Sequence, residues 1–211
     1  MRIATLALML LSSTLFMQCD ESDLMQQTGD DYYPLAERTQ WKYLEEYFAP
    51  GDDSDLQSSD TATYVVKGDT LIDGITYRVV WNRYGTVEKV VRKEGSQYFG
   101  RHHEFYGTFA KEYLFLDEAA PVNTTWQHVK DETLTMTEYI VTSVGSSYTV
   151  GNVEYHDVIE MTVNYYYKDG DDYTLNYTAQ HYYAKGFGEV FAFYPYPSID
   201  LNVTLLNFKQ P

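Results

Sequence analysis

Tyr155-His156-Asp157-Val158-Ile159-Glu160-Met161-Thr162-Val163-Asn164-Tyr165-Tyr166-Tyr167, followed five residues later by Tyr173-Thr174-Leu175-Asn176-Tyr177-Thr178-Ala179-Gln180-His181-Tyr182-Tyr183, is the stretch that decides the fold. In the first run Tyr155, Asp157, Ile159, Met161, Val163, Tyr165 and Tyr167 form one set, against Val158, Glu160, Thr162, Asn164 and Tyr166. The second run alternates in the same way, with Tyr173, Leu175, Tyr177, Ala179, His181 and Tyr183 as its more apolar set. A period of two is that of a strand with one buried face. Lys168-Asp169-Gly170-Asp171-Asp172 between the runs reads as a five-residue turn, so the pair is predicted to be a long antiparallel hairpin. That loop length sets odd positions against odd positions and puts both apolar sets on one side. Asp157 then lies among apolar neighbours, directly opposite the hydroxyl of Tyr183.

Working outward, strands are predicted over Thr61 to Lys67, Leu71-Ile72, Ile75 to Arg83, Val87 to Lys93, Gln97 to Arg101, Leu134 to Val144, Val190 to Tyr194 and Leu201 to Phe208. Asp73-Gly74 and Glu94-Gly95 mark turns. Asp52 to Asp60 reads as a solvated loop, Gln40 to Ala49 fits strand or helix, and His103 to Ala120 has room for a short helix. Two halves echo each other: Trp41 and Trp126, Gly74-Ile75 and Gly151 to Val158, Tyr98-Phe99-Gly100 and Tyr183 to Gly188. The expectation is an all-β, antiparallel meander, one curved sheet closing into a barrel or sandwich, with two related halves.

The N-terminus locates the protein. Arg2 precedes the apolar run Ile3 to Leu11, and Leu15-Phe16-Met17-Gln18-Cys19 ends in the chain's single cysteine. This order reads as a lipoprotein signal peptide over residues 1–18, with lipid on Cys19, although Gln18 stands where a small residue is usual. Residues 19–31 read as an acidic flexible tether and 32–211 as a single β-domain. The acyl chains would hold the protein to a membrane at about 0.8 kcal/mol per buried CH₂. The expected place is the bacterial cell envelope, with the outer membrane favoured. An acidic run after the lipidated cysteine is a surface-export signal in some didermal bacteria, whereas Asp at the position of Asp20 favours inner-membrane retention in enteric ones.

The full chain has 211 residues and a formal net charge of −16. Loss of residues 1–18 removes one arginine and leaves 14 basic against 31 acidic residues, a net charge of −17. Such a chain repels nucleic acid and anionic headgroups, so neither is an expected partner. With Cys19 committed to lipid no disulfide forms, and the 22 Tyr, 10 Phe and 3 Trp must supply the buried area.

Pro34, Leu35, Trp41 and Tyr43, with Tyr183-Ala184-Lys185-Gly186-Phe187-Gly188-Glu189-Val190, carry a resemblance. The chain resembles a family of uncharacterised bacterial lipoproteins that begin with Pro-Leu-x(n)-Trp-x-Tyr and end with Tyr-Ala-Lys-Gly-x-Gly-x-Val. The resemblance spans most of the mature chain and brings no activity with it. It implies a structural role for the motifs, the glycine pair marking a bulge or sharp bend. This chain departs from the family at Ala36-Glu37-Arg38-Thr39, where a Gly-Asn turn is usual.

The residue types that could do chemistry form no strong motif. His102, His103, His128, His156 and His181 lack chelating spacing, and neighbours such as His102 and His103 point to opposite faces of a strand, so no metal site is assigned. Asp52-Asp53-Ser54-Asp55 and Asp169-Gly170-Asp171-Asp172 offer oxygen ligands for calcium without the helix-loop-helix spacing. With 31 acidic residues, carboxylate pairs arise by abundance alone, so no catalytic residue is assigned. No phosphate loop, dinucleotide fingerprint or nucleophile elbow occurs, and no cofactor is expected. The best functional clue is the polar face of the hairpin. There Tyr166 and Tyr182 stand beside Asn164 and Gln180, a composition suited to stacking on a sugar. The sequence therefore predicts a lipid-anchored envelope binding or assembly module without catalytic activity, acting on a glycan or a partner protein. The alternatives are a lipocalin-like carrier of an apolar ligand and, third, a hydrolase using a carboxylate pair.

Overall fold

The computed structural model of the protein describes residues 29–104, 108–131 and 135–211; the expected signal peptide and Cys19 lie outside them. Twelve strands make up the described fold: β1 (Gln40–Ala49), β2 (Asp52–Ile72), β3 (Ile75–Asn82), β4 (Val87–Glu94), β5 (Gln97–His102), β6 (Tyr113–Asp117), β7 (Thr125–Asp131), β8 (Thr135–Val150), β9 (Val153–Asp169), β10 (Asp172–Ala184), β11 (Gly188–Tyr196) and β12 (Ile199–Lys209). They lie in one antiparallel sheet, ordered β6-β5-β4-β3-β2-β1-β12-β11-β10-β9-β8-β7. Apart from β6 and β7, consecutive strands are neighbours, and β1 pairs with β12, so the meander curls into a nearly closed barrel. The barrel is the outcome, not the sandwich.

The break in the ring falls between β6 and β7. Trp126 Nε1 on β7 donates to the Leu114 carbonyl of β6 at 2.9 Å, and the Tyr113 and His128 rings meet 5.3 Å apart. Side chains thus cover part of the seam that a backbone ladder would otherwise close. The repeated features occupy equivalent places in the two runs of six strands. Trp41 and Trp126 lie on the first strand of each run, and the Gly74 and Gly151 turns join its second and third strands.

The β9–β10 hairpin forms with a different turn. Asp169 pairs with Asp172, so the loop is the two residues Gly170-Asp171, and a bulge at Asn176 follows, between Leu175 and Tyr177. Three fewer loop residues and one bulge preserve odd-against-odd parity from Tyr165↔Tyr177 onward but shift the register by two. Tyr183 therefore opposes Ile159, not Asp157. Asp157 itself is exposed at φ 50°, in an irregular stretch of β9, so it is neither a buried acid nor a partner of Tyr183.

Three other expectations change. Asp52 to Asp60 is not a loop but the exposed start of β2, paired with β1 as in Glu46↔Ser59. Gln40 to Ala49 is a strand throughout, and His103 to Ala120 holds β6 and no helix among its described residues. The β6 and β7 strands had no counterpart in the predicted set.

One end of the barrel, where β1 and β9 begin, is packed solid. Trp41 is 1% exposed and donates through Nε1 to the Phe187 carbonyl at 2.6 Å. Tyr33, from the segment preceding β1, stacks on Trp41 at 5.2 Å and meets Phe115 edge-on at 5.2 Å. That segment is pinned by Gly186 N donating to the Asp31 carbonyl at 2.8 Å and by Lys93 Nζ 2.5 Å from the Asp31 carboxylate. The turn before β1 is made by Arg38 at φ 67°, a left-handed conformation that Gly and Asn favour. The glycine pair after β10 also meets its expectation: Gly186 and Gly188 take φ 82° and 96°, beside a register shift between Tyr182 and Tyr183.

Candidate functional site

Above the packed end the interior opens. A cavity of about 400 Å³ lies beneath β6 to β10, and a second lobe of about 360 Å³ runs toward β1 and β12. The lobes share Lys89, His102, Glu189 and Tyr194, so these residues form the middle of one interior space. Its size falls in the range of about 300–1,000 Å³ that holds a small organic ligand.

Odd-numbered hairpin residues supply most of one wall, with Tyr165, Tyr177, His181 and Tyr183 lining the larger lobe, and Tyr166 and the bulged Asn176 border it as well. Tyr165 stacks on Tyr177 at 4.5 Å, and Tyr177 meets Tyr196 at 4.9 Å, a tyrosine belt near the mouth. Burial raises the phenols of Tyr165, Tyr183 and Tyr194 well above their ordinary value, so they stay neutral donors at physiological pH.

Four strands meet at the centre. Lys89 on β4 holds its ammonium 5.0 Å from the ring centre of Tyr33 and 5.5 Å from that of Phe115, on the cavity floor. Among the described residues no carboxylate lies within salt-bridge distance of it. Burial opposes its charge, but Tyr33, Tyr113 and Glu189 outweigh burial and keep the ammonium above its ordinary pKa. His102 on β5 stacks on Tyr113 of β6, with Nε2 2.7 Å from the Tyr113 hydroxyl. The His102 ring is open to the cavity yet walled by protein. Burial first, then the charges of Lys89, Lys130 and His128, push it down to about 4. His128 is lowered by burial and by Lys111 and Lys130.

Among the described residues the single carboxylate of the larger lobe is Glu189 on β11. Its Oε1 lies 2.6 Å from His181 Nδ1. Burial pushes this carboxyl up, but the hydrogen bond and charge of His181, with Lys89 beyond, outweigh it and hold it below the usual range. His181 is 7% exposed, and its Nε2 has no hydrogen-bond partner. An unmade buried hydrogen bond costs about 1–3 kcal/mol, so this atom is a polar contact waiting for a ligand.

The four residues predicted from the polar face do not form one patch. Tyr166 aligns with Leu175 and Tyr182 with Glu160, six positions apart on β9, or roughly 20 Å along the strand. Asn164 joins the Tyr166 end: Tyr166 Oη and Asn164 Nδ2 both donate to Glu138, at 3.1 and 3.0 Å. The Asn164 carbonyl oxygen accepts from Thr178, and Gln180 accepts from Thr162. Tyr182 stacks on Tyr148 at 3.9 Å, beside Phe191. These groups are thus largely partnered by one another. The interior residues Lys89, Tyr113 and Glu189 were missed from the sequence; His102 was weighed only as a metal ligand, whereas His181 was also placed on the apolar face of its strand, where it lies. The one available signal was a charged residue, Lys89, sharing strand parity with the buried Val91. Among the described residues no three His, Cys, Asp or Glu side chains converge as metal ligands.

No family model matches the chain, and no curated protein matches it in sequence. Solved structures it is similar to include a protein of Bacteroides fragilis NCTC 9343 described as exported, with a YmcC-like fold. The TM-score is 0.50 at 8% identity, covering 86% of this chain and 100% of that one. A Parabacteroides distasonis ATCC 8503 protein described as a lipoprotein gives 0.46 at 11% identity, with the same coverage. The Bacteroides likeness is one of fold alone, and nothing below rests on the other. The class of protein these observations define is an antiparallel meander barrel with one packed and one open end.

Proposed function

We propose that the protein is a lipid-anchored module of the bacterial cell envelope that binds a small molecule inside its barrel, without catalysis. The observation that carries this reading is the open interior space, where the Lys89 ammonium, with no carboxylate partner among the described residues, and the orphaned His181 Nε2 lie beside a tyrosine wall. The sequence alternative of a carrier is therefore preferred to sugar stacking on the outer face, where the polar groups already satisfy one another. The interior is polar at its centre, so the ligand is not a plain hydrocarbon. Cys19 serves as the anchor, and Asp31, twelve residues later, lies at the packed end.

The test is the melting temperature of the unlipidated chain from residue 19 onward, with oligosaccharides, fatty acids and small organic acids added singly. A ligand at a hundred times its Kd adds about 2.7 kcal/mol. For a chain of this size that raises Tm by roughly 5–11 °C. Thr137→Trp, which fills the larger lobe from β8, should abolish the shift. A shift that survives Thr137→Trp would place the ligand elsewhere.

A further inference from the structure

We infer that the interior site is built for an anion: a carboxylate, sulfonate or phosphate group seated on Lys89, with a flat or ringed body against the tyrosine wall. This rests on the interior-ligand reading and assigns the ligand's charge. The chain as a whole is strongly acidic, at −16, yet the larger lobe reverses that sign. Among the described residues Lys89, Lys111 and Lys130 line it, against the single carboxylate of Glu189, which His181 already engages. Lys111 and Lys130 stand at the exposed rim, whereas Lys89 reaches its position from inside the barrel.

The placement of Lys89 points the same way. Its ammonium rests over two aromatic rings, with no carboxylate of the described residues within salt-bridge distance, so its charge is directed at the cavity. His102 and His128 are both lowered, by burial first and then by Lys89, Lys111 and Lys130, in keeping with the positive charge those lysines bring to the lobe. In a low-dielectric enclosure such a field favours an anion far more than it would in water. The smaller lobe carries Glu45 and Glu88 together with Glu189. An anionic group is therefore directed to the larger lobe, and a second one is excluded from the other.

Two fluorescent probes with the same ring system separate charge from shape. Anilinonaphthalene sulfonate carries one sulfonate, and N-phenylnaphthylamine carries none. Titrated into the unlipidated chain from residue 19 onward, the sulfonate should bind at least tenfold more tightly. Lys89→Met should remove that preference by weakening the sulfonate and leaving the neutral probe unchanged. Lys42→Met, on the exposed face of β1, should alter neither. Matching melting curves for the two variants keep the comparison valid, and Lys89→Arg, which retains the charge, should restore the preference if Lys89→Met melts early. Equal binding of the two probes, or a preference indifferent to Lys89, would overturn the anion assignment while leaving the cavity as a ligand site. Failure of both probes to bind would overturn the interior-ligand reading and the assignment with it.

Discussion

Replacing Gly188 by alanine tests the packing that supports the site. Gly188 opens β11 at φ 96°, and a Cβ built there would stand 2.9 Å from Trp41 Nε1. That nitrogen is the donor to the Phe187 carbonyl at 2.6 Å, in the most densely packed part of the barrel. Two costs follow. Holding a residue with a side chain at that φ costs about 1–3 kcal/mol. Displacing Trp41 strands its buried donor for about 1–3 kcal/mol more. The sum is about 4 kcal/mol, a fall in Tm of roughly 8–16 °C for a chain of this size. Gly74→Ala is the control, because Gly74 sits at φ 81° with nothing within 4 Å of its would-be Cβ. It suffers the strain alone, so Gly188→Ala should lose about 2 kcal/mol more in urea unfolding of the same protein. In a Trp41→Phe background, which has no Nε1 to displace, the gap between the two alanine variants should shrink, with a coupling energy of about 0.5–3 kcal/mol. Equal losses for Gly188→Ala and Gly74→Ala, or a gap that Trp41→Phe leaves unchanged, would refute the close-approach argument.

Three further outcomes are expected. His102 is held down to about 4 from an ordinary 6.5, so the unfolded chain takes up its proton first as pH falls. Its contribution to stability is complete above pH 6.5 and is lost between there and about 4; His102→Gln should flatten that part of a urea-midpoint profile against pH. Tyr182→Ala should cost about 0.5–1.5 kcal/mol through the lost stacking on Tyr148, measured by urea unfolding, with no change in binding of the naphthalene probes. Cys19→Ser should abolish incorporation of radiolabelled palmitate and release the protein from the membrane fraction; continued membrane partition would refute the anchor.

The strand alternation of β9 and β10 was legible because side-chain direction in a strand is local, reversing at each residue whatever the rest of the chain does. Met161, Val163, Ala179 and His181 are buried as their parity requires. Register was less legible. The Gly170-Asp171 turn and the Asn176 bulge each change it by a residue, and a bulge leaves no mark on composition. The segment from His103 to Asp131 was harder still, since β6 and β7 are short edge strands held partly through Trp126 and Tyr113 side chains.

By itself, then, the sequence determined an antiparallel meander, the buried face of the hairpin over residues 159–165 and 177–183 but not the faces of Asp157, Tyr173 and Leu175, the glycine bend before β11 and the acidic charge of the whole. The tertiary structure alone decided the site. Lys89, His102, Tyr113 and Glu189 come from β4, β5, β6 and β11, and they face one another only because β1 pairs with β12 and curls the two six-strand runs around a common interior. Alternation tells which residues share a face. Closure of the sheet tells which face becomes the inside, and that depends on contacts between residues more than a hundred positions apart, such as Trp41 with Phe187.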